Sequence, residues 1–175
     1  MSLLGSSAEW LEEARALGRF ATALTPDIRF AREPAAAAVL VDTLVNRALL
    51  AARNGEGPPD LCRRARLLSL FVRFHRRHVR LKSVDDDGAE NDGGREGALV
   101  ERVICAMPLE LREALLLVVL ERLPHTEAAA VLEISLAALI DRLARARLAL
   151  SRAVATPIQA RSPRRSGAPH LRLVK

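Results

Sequence analysis

Residues 125–150 read HTEAAAVLEISLAALIDRLARARLAL, and the break in their middle decides the fold. A short Ala-rich helix runs to Leu132, a three-residue break follows at Glu133-Ile134-Ser135, and a longer amphipathic helix resumes at Leu136. This is the layout of a helix-turn-helix, in which the second helix is shaped to enter a DNA major groove. Val131, Leu132, Ile134, Leu136, Leu139, Ile140, Leu143 and Leu150 form the expected buried seam. Ala129 is small where two helices approach closely, and Thr126 is the expected cap of the first helix. If the turn residue Glu133 is left-handed, it costs on the order of 1 kcal/mol relative to glycine.

The rest of the chain is helical by the same criteria. Its 175 residues are 50% apolar, enough for one domain or two small ones with buried cores. Aromatic residues are 3%, Tyr is absent, and no Val/Ile/Thr-rich alternating run occurs, so the expected fold class is all-α. Upstream of the motif, helices are expected over Ala98–Ala106 and Pro108–Arg122, the second with Leu111, Leu115, Val118 and Val119 facing inward. Three more precede them. Ala8–Leu24 carries Trp10, Leu11, Ala14, Leu17, Ala21 and Leu24 on one stripe. Pro34–Ala52 carries Val39, Leu40, Thr43, Leu44, Arg47 and Leu50 at the same period, and Pro59–Leu81 follows.

Charge divides the chain. Residues 1–82 carry a net +6, residues 83–97 a net −5, residues 98–152 none, and residues 153–175 a net +5. The segment Ser83–Gly97, SVDDDGAENDGGREG, has four glycines and six acids, and reads as a flexible acidic linker. The expected organisation is a helical domain over 1–82, that linker, a second helical domain over 98–153 and a basic, disordered tail over 154–175. The tail suits solubility, weak phosphate binding or a docking peptide. The third helix is strongly basic, with Arg63, Arg64, Arg66, Arg73, Arg76, Arg77, Arg80 and Lys82 interleaved with Leu67, Leu70, Phe71 and Phe74. Such one-sided charge fits a nucleic acid or an acidic protein, with Arg73, Arg76, Arg77 and Arg80 as the candidate DNA contacts; a solvated helix face is the alternative.

Other chemistries have little support. Cys62 and Cys105 lie in apolar helical patterns without metal-ligand spacing and are expected to be buried reduced thiols in a reducing cytoplasm. His75 and His78 are spaced i, i+3, but no carboxylate or thiol accompanies them, so no metal site is expected. There is no phosphate loop, nucleophile elbow or paired-acid run, which argues against an enzyme and against a cofactor. MSLLGSSAEWLEE lacks the features of a leader, and the longest apolar run, Ala114 to Leu120, is too short to span a bilayer; neither export nor a membrane span is expected.

Residues 107–150, MPLELREALLLVVLERLPHTEAAAVLEISLAALIDRLARARLAL, resemble region 4 of the extracytoplasmic-function (ECF) sigma factors. Pro108, Arg112, Leu115 to Leu120, Glu127, Ala129, Leu132, Arg142, Arg145 and Ala146 lie on the family pattern. VLVDTLVNRAL, Val39 to Leu49, is similar to region 2 through Asp42, Thr43, Leu44, Arg47 and Ala48. LGRFATALT, Leu17 to Thr25, is similar to the start of region 2 in general-stress sigma factors and in the sigma-like domain of their response regulators. The resemblance implies core RNA polymerase, promoter DNA and an anti-sigma factor as partners. It places Asp42, Thr43, Asn46 and Arg47 toward polymerase, and Arg142, Arg145 and Ala138 toward DNA. It departs at Ala38 and Val41, where the family has Asp and Gln, and at Ala138, Ile140 and Asp141, where it has polar readers.

Three functions are consistent with these residues. One is a divergent ECF sigma factor that directs RNA polymerase to promoters. Another is a sigma-like decoy or regulator that binds an anti-sigma factor without initiating transcription. The third is a free-standing helix-turn-helix DNA-binding protein.

Overall fold

A computed structural model describes residues 7–25, 34–85 and 99–155. Helices occur throughout these residues and no strand does, in agreement with the all-α expectation. They are α1 (Ser7–Leu24), α2 (Pro34–Arg53), α3 (Arg63–Asp85), α4 (Leu99–Ala106), α5 (Leu109–Val119), α6 (His125–Leu132) and α7 (Leu136–Ala155). Most of the expected acidic linker, 86–97, and residues 156–175 of the expected tail lie outside the described residues. None of the described helices is long and apolar enough to cross a membrane.

In the first half α2 packs on α3 and α1 on α2; in the second, α5, α6 and α4 all pack on α7. The two halves also meet, α3 against α6 and α1 against α5. One apolar core runs through both. It passes from Leu17, Phe20 and Leu24 through Leu44, Ala48, Leu68 and Phe71 to Leu117, Ala128, Val131, Leu132, Leu139 and Leu143. Phe20 and Phe71 anchor it edge to face, with ring centroids 6.0 Å apart, a favoured aromatic geometry. A smaller cluster of Met107, Leu111, Leu115 and Ala146 joins α4 and α5 to α7.

Several side chains face the other way from the sequence expectation. In α2 the buried residues are Val41, Leu44, Val45, Ala48 and Ala51, while Val39, Thr43, Arg47 and Leu50 are exposed. The helix is apolar almost all round, so its pattern alone does not choose a face. Val119 is exposed because α5 ends there: Arg122 takes a left-handed conformation (φ 54°) and Pro124 follows, so the chain turns before Arg122 can join the helix. Leu136 and Ile140 are likewise exposed. Residues 58–62 are turns rather than the first turn of α3, and Arg66 donates to the carbonyls of Pro58 (3.2 Å) and Pro59 (3.0 Å) to hold them. Gly57 (φ +94°) belongs to this loop, and a Cβ there would stand 2.8 Å from Arg66 Cγ.

The helix-turn-helix closes on backbone hydrogen bonds. Pro124, not Thr126, is the N-cap residue of α6, and no side chain caps it. Glu133 is left-handed (φ 57°, ψ 42°), and the amides of Glu133 and Ile134 donate to the Ala130 and Ala129 carbonyls. This is a C-terminal closure that normally favours glycine. Ser135 then caps α7, its Oγ accepting from the Ala138 amide at 3.2 Å. Because the Glu133 side chain is exposed, Glu133→Gly should stabilise the protein by about 1 kcal/mol through relief of the left-handed strain. Urea unfolding measures this, and a lower midpoint would contradict it.

Candidate nucleic-acid interface

The basic helix α3 sorts its arginines by what they meet. At its start Arg63 pairs with Glu13 (2.7 Å) and Glu9 (3.1 Å) of α1. Arg64 pairs with Glu121, which is 3% exposed, at 2.5 Å. Two turns beyond Arg66, Arg73, Arg77 and Arg80 are exposed and line a groove of about 540 Å³ with Ser69, Val72, Phe74, Arg76, Val131 and Glu133. Phe74 is flanked by two guanidinium groups, Arg47 at 4.5 Å and Arg73 at 5.7 Å from its ring centre. The side chain of Lys82 lies outside the described residues.

Arg76 turns inward instead. Its Nε donates to both oxygens of Glu113 (3.0 and 3.1 Å), its Nη2 to Oε2 (2.6 Å), and its Nη1 to the Leu132 carbonyl (3.5 Å). Glu113 has no exposed surface. Burial pushes the Glu113 carboxyl above the ordinary carboxylate range, against the Arg76 fork, which pulls it down. The same bonds raise Arg76.

Three further polar contacts join the halves. Arg64 also donates to the Glu121 carbonyl (3.1 Å). The Cys62 thiol donates to Glu127 Oε1 (2.9 Å). Arg112 Nη1 donates to the Leu24 carbonyl at the end of α1 (3.0 Å), while its other nitrogens reach the carbonyls of Ile104, Cys105 and Met107 at the end of α4. One guanidinium thus satisfies carbonyls left open by two helix ends. Cys62 is exposed and Cys105 partly so, which corrects the expectation of buried thiols; Cys62 stands at the boundary between the halves. Burial and the Glu127 contact raise the Cys62 thiol.

In the helix-turn-helix, Arg142 Nη2 pairs with Glu110 Oε2 at 3.2 Å and its side chain is 17% exposed. Arg142 Nη1 is buried without a hydrogen-bond partner among the described residues. Glu110 and Glu113 lie three residues apart on α5, so one helix face holds both Arg142 and Arg76. Arg145 is exposed and paired with Asp141 (3.0 Å), and Ala138 is half-buried. Leu136, Ile140, Ala144 and Leu148 are all exposed at spacings of four, an apolar line along α7.

Asp42, Thr43, Asn46 and Arg47 share the exposed face of α2 with Val39 and Leu50. Thr43 is turned onto its own helix, Oγ1 donating to the Val39 carbonyl at 2.7 Å. Val41 is only 6% exposed. The departure there is therefore a core substitution and removes no polar group from this surface, whereas Ala38 is exposed. His75 is buried, 3.2 Å from Thr25 Oγ1 through Nε2 and stacked on Phe71. Among the described residues no group of three or more His, Cys, Asp or Glu side chains could hold a metal.

The sequence reading did not find Glu110, Glu113, Glu121 or Arg64 as an interlocking set. Glu113 offered one signal, an acid inside the apolar face of LREALLLVVL. Its partner, 37 residues away, offered none.

Comparison with known proteins agrees with this geometry. A family model for sigma-70 region 4 matches residues 98–150. A comparison with curated protein sequences gave no significant match. Among solved structures the chain is similar to the sigma factor RpoE from Bartonella quintana, in complex with the anti-sigma factor NepR. The TM-score is 0.64 at 17% identity, over 86% of this chain and 96% of that one. It is also similar to CnrH in complex with the cytosolic domain of CnrY, with a TM-score of 0.58 at 22% identity over 86% and 90%. Residues 98–150 thus match the sigma-70 region 4 family, and over 86% of its length the chain shares the fold of these two solved structures.

Proposed function

We propose that the protein is an ECF-type sigma factor that brings RNA polymerase to promoters, and that the compact arrangement described above is its DNA-silent form. The observation that carries the first part is the region 4 match over the helix-turn-helix, within a chain of which 86% aligns with the fold of a solved sigma factor. The exposed face of α2 with Asp42, Thr43, Asn46, Arg47, Val39 and Leu50 is the polymerase-binding surface in this reading, a mixed apolar and polar patch of the kind used for protein contacts. Arg142, Arg145 and Ala138 read the promoter, and Arg73, Arg76, Arg77 and Arg80 meet DNA through the first half.

The second part follows from where two of those arginines are. Arg76 and Arg142 point at Glu113 and Glu110, and a guanidinium bound to a carboxylate is not free for a phosphate or base. Engagement of DNA by Arg76 therefore requires the halves to part along α3, α5 and α6, whereas Arg142 needs only to leave Glu110 within the second half. An anti-sigma factor acts in this reading by favouring the closed arrangement or covering the α2 face; the two solved structures described above are each in complex with a second protein.

A second reading, a sigma-like decoy, is favoured by the apolar line of Leu136, Ile140, Ala144 and Leu148 on the outward side of α7. Base edges are read mainly by Arg, Lys, Asn and Gln, and this line suits a protein better.

Two measurements separate the readings. The purified chain should bind core RNA polymerase at low salt and lose promoter-specific binding by about tenfold or more in Arg142→Ala, the loss of one good base contact; no polymerase binding would sink the sigma-factor reading and leave the decoy. Glu113→Gln should release Arg76 and raise DNA affinity several-fold, about 1 kcal/mol, in fluorescence anisotropy. Unchanged affinity would mean that the closed arrangement does not silence DNA binding.

A further inference from the structure

The groove along α3 is a concave surface that both halves build together. Arg73, Arg77 and Arg80 stand at i, i+4 and i+7 on its α3 side, while Val131 and Glu133 form the opposite wall from the end of α6. With a rise of 1.5 Å per residue, these guanidinium groups follow one another over about 10 Å along one helix face. Arg73, Arg77 and Arg80 make no ion pair among the described residues, and Arg73 lies 5.7 Å from the centre of the Phe74 ring. Arg76, at the same groove, is neutralised by Glu113. Among the described residues, three cations without an ion pair therefore line the groove together with one acid, Glu133.

We propose that this groove binds a linear oligophosphate, bare or carried on a nucleoside, and that the bound ligand holds the two halves together. The volume of about 540 Å³ suits a small ligand. A row of guanidinium forks on successive turns matches a row of phosphates, each fork giving charge-assisted, often bidentate bonds. Val72, Phe74 and Val131 line the groove with apolar surface, which lowers the local dielectric and strengthens those bonds. Glu133 weakens them, since it repels any anion along the opposite wall. A compound that binds only the assembled groove stabilises the closed form by mass action, so oligophosphate and promoter DNA oppose one another. The site itself does not depend on promoter recognition.

The test is calorimetric titration of the full chain with sodium tripolyphosphate, ATP, orthophosphate and a short single-stranded DNA, at matched ionic strength. Tripolyphosphate or ATP should bind about tenfold or more tightly than orthophosphate, because several forks are engaged together. Similar values for tripolyphosphate and ATP would assign recognition to the phosphates, and tighter ATP binding would assign part of it to the nucleoside. The double variant Arg77→Ala/Arg80→Ala should lose about tenfold, while Glu133→Gln should gain a few-fold as the repelling wall is removed. Glu113→Gln, which loosens the halves, should weaken binding. Equal binding by all these variants would overturn the proposal and point to nonspecific adsorption on basic residues elsewhere. So would single-stranded DNA that binds wild type more tightly than tripolyphosphate, or absence of oligophosphate binding at low salt. Circular dichroism melts of Arg77→Ala/Arg80→Ala and Glu133→Gln at or above the wild-type midpoint separate these outcomes from unfolding.

Discussion

The buried ion pair of Arg76 and Glu113 organises the molecule. Glu113 is fully enclosed on α5, and no other acid is so deeply buried among the described residues. A carboxylate in that position costs several kcal/mol unless a cation meets it with good geometry. Arg76 meets it with a fork that spends three hydrogen bonds on two oxygens. Arg76 belongs to the first half and Glu113 to the second, so neither half satisfies its own charge. The fork closes only when α3 lies against α5 as it does here.

Around that pair the apolar core supplies strength and the other polar contacts supply register. Phe71, one turn before His75 and Arg76, is fully buried against Phe20, and Leu117 and Leu132 extend the same core beyond the boundary. Arg64 with Glu121, Cys62 with Glu127, and Arg112 with the end of α1 then sit around the joint at separate points. These contacts are partly exposed, and such pairs contribute little energy individually. Their value is directional, because each fits only one placement of α3 and α1 on α5 and α6. The same placement turns Arg76 away from the basic face of α3, while Arg142 meets Glu110 within the second half.

The helix-turn-helix was legible in the sequence because it is local. The interruption at Glu133-Ile134-Ser135, the buried run of Val131, Leu132, Leu139 and Leu143, and the left-handed turn residue all follow from short-range periodicity and sterics. The faces of α2 and of the start of α7 were not. PAAAAVLVDTLVNRALLAAR is apolar enough on every side that only its neighbours decide which side is covered. Leu136 and Ile140 continue the helical period but lie outside the groove that α5 and α6 offer. The candidate site was half legible for the same reason. The run of arginines on α3 was visible, but which of them are paired depends on acids 37 to 57 residues away, and no one-dimensional pattern ranks Arg76 apart from Arg77.

The most direct test of this account is a double-mutant cycle on the joint itself. Urea unfolding of wild type, Arg76→Ala, Glu113→Ala and the double variant measures the coupling between the two side chains. Arg76→Ala should cost about 3–5 kcal/mol by leaving the enclosed Glu113 without its partner, and Glu113→Ala somewhat less because Arg76 is 30% exposed. The double variant should cost no more than Arg76→Ala alone, well below the sum of the two singles. Two small effects that simply add would contradict the account, because they would mean that the pair forms without holding the halves together.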